Sequence, residues 1–270
     1  MVALLPIFFG LLGLIVGSFL NVVVLRKGVT SLQGRSKCPS CGKQIRGYDL
    51  IPFFSWIILR GRCRNCGSKI SVQYPLVEAC TGILFALIGG SPFPVGFFYL
   101  FLFCTIAAIL VCIAVYDMRH TIIPDEWVYS FAALAFFGMG PILATLSPDA
   151  STLFYLLGGP LVALPLFLLW FVSGGRWMGL GDAKLALGIG WLLGPVLGSV
   201  AVLFSFILGS IVLVPLLVFD RVITHIWPYQ RRVRGLTMKS EVPFGPFLIG
   251  SCLILWFLLL YGIPIPFLDL

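Results

Sequence analysis

Apolar and polar stretches alternate along the chain in long blocks. Apolar runs occupy Val2–Leu25, Tyr74–Gly89, Val95–Tyr116, Trp127–Leu146, Leu153–Val172, Ala183–Phe219 and Pro243–Leu260. A helix needs about 20 apolar residues to cross a bilayer, so each run predicts at least one membrane-spanning helix. The first has no basic stretch before it and no small-x-small cleavage site after it, which predicts a retained span rather than a removable signal. Ala183–Phe219, at 37 residues, is too long for one crossing. Gly194-Pro195 at its middle marks a turn between two. Leu50–Leu59 is too short to cross and starts near Pro52, so it is expected to pack on the neighbouring polar segment or lie in the membrane interface.

Composition agrees with the pattern. Of 270 residues 60% are hydrophobic and 10% charged, and the mean hydropathy is +1.08. These values exclude a disordered chain, a secreted disulfide scaffold and a free nucleic-acid-binding domain. The charge then orders the spans. With two crossings in Ala183–Phe219 there are eight spans, and all 18 Lys and Arg fall on one side. Ten of them lie in residues 26–73, and Arg119, Arg176, Lys184, Arg221, Arg231, Arg232, Arg234 and Lys239 complete the set. A single crossing would place the last five on the opposite face, against the positive-inside rule. The expected architecture is therefore an all-α polytopic membrane protein of about eight transmembrane helices. Its divisions are a first span at 1–25, a cytoplasmic module at 26–73 and a membrane domain at 74–270.

Four of the eight cysteines form two C-x-x-C pairs, Cys38/Cys41 and Cys63/Cys66, each followed by glycine and separated by 21 residues. Two such knuckles supply four thiolates for a tetrahedral zinc ion, and a reducing cytoplasm disfavours the disulfide alternative. Four protein ligands leave no place for water, so the ion is expected to be structural. Cys80, Cys104, Cys112 and Cys252 sit in apolar runs and read as small buried side chains.

Carboxylates near a bilayer are costly and often functional. Of the ten, Asp149 and Asp269 are expected outside, and Asp49, Asp220 and Glu241 in cytoplasmic loops. Asp125 and Glu126 follow Pro124 at a helix start, where acids are ordinary. Glu78, Asp117 and Asp182 remain. Asp117 closes the third span and Asp182 opens the sixth in Gly179-Leu180-Gly181-Asp182, so both lie at the same membrane edge. Two carboxylates brought together there would share a proton, one acting as base on water and the other as acid to a scissile carbonyl. The alternatives are a helix cap for Asp182 and a salt bridge to Arg119 for Asp117. There is no H-E-x-x-H or G-x-S-x-G motif, and His120 and His225 stand in separate loops.

Taken in order, Gly17-Ser18-Phe19-Leu20-Asn21, the cysteine knuckles with Ile51-Pro52 and Ser55-Trp56, Tyr74-Pro75-Leu76-Val77-Glu78, Asp117 with Ile123-Pro124-Asp125, and Gly179-Leu180-Gly181-Asp182 resemble the type IV prepilin peptidases. The resemblance covers nearly the whole chain. It implies a GxGD aspartyl endopeptidase of the bacterial inner membrane that removes the basic leader of prepilins and pseudopilins at the cytoplasmic face. It also implies Asp117 and Asp182 as the catalytic pair, with Asp125 a competitor for the first role. Gly179 and Gly181 would let backbone or substrate approach, and Cys38, Cys41, Cys63 and Cys66 would hold zinc. Glu78 would either meet the leader's cation or cap a helix beside an arginine. Many bacterial members also resemble S-adenosylmethionine-dependent N-methyltransferases. Here the chain departs from them: the stretch from Arg26 to Cys38 is short, Lys27-Gly28 stands where many have a proline, and no Rossmann-type glycine loop is present.

Overall fold

The computed structural model describes residues 4–28, 34–92, 96–146, 152–226 and 242–264. These residues form helices and turns with no strand beyond two isolated bridges. The helices are α1 (Leu4–Arg26), α2 (Phe54–Ile58), α3 (Gln73–Gly89), α4 (Phe97–His120), α5 (Asp125–Leu146), α6 (Thr152–Leu156), α7 (Gly158–Ser173), α8 (Leu180–Ile226) and α9 (Gly245–Leu260). Among the described residues, four helical segments are long and apolar enough to cross a membrane: Leu4–Arg26, Phe97–His120, Leu153–Ser173 and Leu180–Pro215. Helices α3 and α9 are shorter apolar helices. Asp149, Arg231, Arg232, Arg234, Lys239, Glu241 and Asp269 lie outside the described residues.

The chain divides into two compact units, one of residues 1–115 and 259–270 and the other of residues 116–258. In the first, α1 and α3 cross at close range. A Cβ on Gly13 would sit 2.6 Å from the Thr81 carbonyl, and one on Gly17 would sit 2.8 Å from Glu78 Cα. Between helices in lipid, where apolar burial gives no driving force, such close backbone approach supplies the packing. Asn21, 1% exposed, closes the polar end of this seam by donating from Nδ2 to the Tyr74 carbonyl at 3.2 Å.

In the second unit α8 is two helices in line of sequence, not one rod. Gly194 breaks it with φ 79° and ψ 171°. A Cβ on Gly198 would approach Gly190 Cα to 3.1 Å. In a straight helix those Cα atoms would be about 12 Å apart at 1.5 Å per residue. The arms 180–193 and 195–226 therefore fold back on each other, and the predicted Gly194-Pro195 turn is present. The start of α7 packs into the same place, where Gly158 and Gly159 lie against Gly190 and Trp191. Trp191 donates from Nε1 to the Leu156 carbonyl at 3.0 Å.

Leu50–Leu59 is indeed no span. It contains the end of a 3-10 turn at Gly47–Leu50 and the five-residue α2. Trp56 packs against Gly61 and donates to the Ile70 carbonyl, while Phe54, Ile57 and Ile58 remain exposed.

Candidate active site and metal centre

The two cysteine knuckles have the same backbone. In the first, the Cys38 amide donates to the Lys43 carbonyl at 2.9 Å and the Gly42 amide to the Cys38 carbonyl at 2.9 Å. In the second, the Cys63 amide donates to the Ser68 carbonyl at 2.8 Å and the Gly67 amide to the Cys63 carbonyl at 2.9 Å. Gly42 and Gly67 take φ of 68° and 69°, a left-handed turn that favours glycine. Each turn aims two sulfurs the same way. All four Sγ atoms lie within 4.8 Å of one another, and Cys38 and Cys66 are 3.8 Å apart. A tetrahedral zinc with bonds of about 2.3 Å requires sulfur separations of about 3.8 Å. The cluster therefore has the donor set and spacing of a metal site.

Its electrostatics agree. Amides of Cys41 and Ser40, then the Ser68 hydroxyl, bring the Cys38 thiol down to about 6. The Ser68 hydroxyl and amide also lower Cys66. Although the Lys43 amide bonds Cys41, burial and the Cys38 and Cys66 sulfurs push it up to about 11. Four thiolates this close need a cation between them. Asp49 braces the second knuckle by accepting from Arg64 Nε at 3.0 Å and Nη2 at 2.7 Å, and this holds Arg64 above its ordinary value.

Glu78 ties this module to α3. Buried at 7% exposure, its Oε2 accepts the Phe53 amide at 2.7 Å. Phe53 has φ 61° and ψ −54°, and the Phe54 amide donates back to the Pro52 carbonyl at 2.6 Å. That is a γ-turn of the rare positive-φ kind, whose strain persists where surroundings hold it. Glu78→Ala would leave the half-buried Phe53 amide without this acceptor and is expected to cost about 1 kcal/mol. Glu78→Gln keeps an acceptor and should cost less; thermal unfolding in detergent measures both.

In the second unit Asp117 and Asp182 come together. Asp117 lies in the last turn of α4 at 3% exposure, and Asp182 in the first turn of α8 at 8%. The Asp117 charge acts on Asp182. Gly245 donates to Asp117 Oδ2 at 3.0 Å. Gly179 lies beside Asp182: a Cβ at 179 would meet Asp182 Oδ2 at 3.5 Å, and the Asp182 amide donates to the Gly179 carbonyl at 3.3 Å. Gly181 and Gly245 both press on Ile123: a Cβ on either would meet that side chain at 3.0 Å and 3.3 Å respectively. Ile123 therefore holds the starts of α8 and α9 beside the end of α4.

Asp125 is placed differently. Its side chain is 60% exposed and accepts from Lys184 Nζ at 2.7 Å, with Lys184 also over the Tyr129 ring. Gly245 is the residue that sequence reasoning did not single out. A backbone donor has no side-chain signature, and the nearest cue was Pro243-Phe244-Gly245-Pro246 at the start of the last apolar run.

The apolar helices are those of a membrane protein, and it buries two carboxylates, Asp117 and Asp182. Residues 104–214, which contain both aspartates, match the family model described as "Type IV leader peptidase family". Residues 11–90, which contain all four clustered cysteines, match "Bacterial Peptidase A24 N-terminal domain". The chain is similar to the prepilin leader peptidase/N-methyltransferase of Pectobacterium carotovorum subsp. carotovorum, 33% identical over 88% of this chain and 88% of that protein. The Dichelobacter nodosus protein of the same name is 29% identical over 96% of this chain and 92% of its own length. That of Myxococcus xanthus is 52% identical over a shorter stretch, 30% of this chain and 25% of the relative. No solved structure matches significantly. The chain belongs to the type IV leader peptidase family.

Proposed function

We propose that the protein is an aspartyl endopeptidase that removes the leader of prepilins and pseudopilins at the cytoplasmic face of the inner membrane. The observation that carries this reading is the buried Asp117–Asp182 pair inside the matched peptidase region. Two adjacent buried carboxylates do not both ionise cheaply and carry one proton between them. One takes a proton from water as it attacks the scissile carbonyl, and the other protonates the carbonyl oxygen. The proton then passes to the departing amine as the tetrahedral intermediate collapses. Burial excludes bulk water, so the charges act in a medium of low dielectric.

The chain crosses the membrane eight times, with Ala183–Phe219 crossing twice, and the cation-rich segments face the cytoplasm. The divisions are 1–25, 26–73 and 74–270. The four cysteines hold a structural zinc. Asp125, through Lys184, links the start of α5 to the start of α8 near Asp182. Asp125→Asn should lower turnover by no more than about tenfold, the scale of one exposed ion pair. Glu78, beside its anchoring role, offers a negative charge to a basic leader.

The relatives' names carry N-methyltransferase as a second activity, and we extend the proposal to methylation of the new N-terminus from S-adenosylmethionine. One experiment tests both activities. Purified protein is incubated with a prepilin, with and without S-adenosylmethionine, and the products are weighed by mass spectrometry. Leader removal in both arms and one added methyl group in the first are expected. Uncut prepilin would reject the peptidase reading, and cut but unmethylated pilin would reject the methyltransferase extension.

A further inference from the structure

We propose that Gly245 is a positioning residue of the cleavage site, whose amide fixes the rotamer of Asp117 and leaves Oδ1 of that carboxylate for proton transfer. This rests on the peptidase reading above. The first turn of a helix offers amides without intrahelical acceptors, and the start of α9 directs one of them at Asp117. Pro246 has no N–H, and the Phe247 and Leu248 amides donate to the Phe244 carbonyl at 3.0 and 3.2 Å. The Gly245 amide donates to Asp117 Oδ2 at 3.0 Å in a buried setting.

The residue must also lack a side chain. A Cβ at 245 would lie 2.6 Å from Asp117 Oδ2, 3.3 Å from its Cγ and 3.3 Å from Ile123 Cδ1. Gly245 is not among the glycines with positive φ, so its backbone itself accepts alanine. The cost of Gly245→Ala therefore falls on the carboxylate, which must move away from the new methyl group. Ile123 blocks one escape route, because the Gly181 position also presses on it. A third segment, far from the aspartates in sequence, thus sets the geometry of the pair.

The experiment compares wild-type protein, Gly245→Ala, Asp117→Asn and the control Gly250→Ala, which alters the same helix where a Cβ would meet nothing within 4 Å. Each is assayed for kcat and KM on a prepilin and for binding stoichiometry and Kd with a prepilin blocked at the cleavage site. Gly245→Ala is expected to bind the blocked prepilin one-to-one with Kd and KM within about threefold of wild type, while kcat falls on the order of 100-fold, the scale for a small misplacement of a reacting group. Gly250→Ala should cleave like wild type. The proposal is overturned if Gly245→Ala keeps kcat within about threefold, or if its loss of turnover matches a loss of binding sites, which marks unfolding. Wild-type cleavage by Asp117→Asn would instead overturn the peptidase site itself, and this proposal with it.

Discussion

Asp117→Asn and Asp182→Asn are each expected to yield a folded, membrane-inserted protein whose prepilin cleavage falls by at least about 10³-fold. The substitution is nearly isosteric, and at 117 an asparagine carbonyl oxygen still accepts the amide of Gly245. The bond that joins the end of α4 to the start of α9 therefore survives, and unfolding in detergent should shift by no more than about 1 kcal/mol. What is lost is the proton traffic. An amide neither takes a proton from water nor gives one to a carbonyl oxygen, and the remaining aspartate cannot do both. Since the pair acts as a unit, the double variant should be no slower than the worse single one. A time course of leader removal on a gel reads the rate, and either single variant turning over within tenfold of wild type would sink the assignment.

Hydropathy located the helices because in lipid a helix must be apolar along its length, and each predicted run holds a helix within a few residues of its limits. The fold-back at Gly194 was legible from a glycine followed by a proline. Less visible was what the helices do to one another. Gly13 and Gly17 stand four apart on α1, a spacing that signals close helix contact, yet their partners Glu78 and Thr81 lie some sixty residues away in sequence. The two aspartates were legible as acids at one depth. The support from Gly245 was not, because it acts through a backbone amide. Glu78 shows the same limit: its bond to the amide of a strained turn at Phe53 leaves no signature in the sequence.

Removing the metal should have an effect as large, on a different part of the chain. Among residues 34–72 the fully buried ones are Cys38 and Gly61, so the segment has almost no apolar core of its own. Its order must come from the knuckle turns, the Arg64–Asp49 pair, the Glu78 bond to Phe53 and whatever joins the four sulfurs. Exposed ion pairs contribute at most about 1 kcal/mol, whereas binding of structural zinc contributes on the order of 10 kcal/mol. The intact protein is therefore expected to carry about one zinc per chain, the stoichiometry of a closed four-thiolate site. Cys41→Ser, or dialysis against a strong chelator, should reduce that to near zero and open residues 34–72 to protease. Helices α7 and the first arm of α8 should stay protected, since none of their described packing involves the cysteine cluster. Metal analysis beside limited proteolysis in detergent checks both parts. Full zinc occupancy in Cys41→Ser, or a module that resists protease after chelation, would show that something other than this metal site holds the segment together.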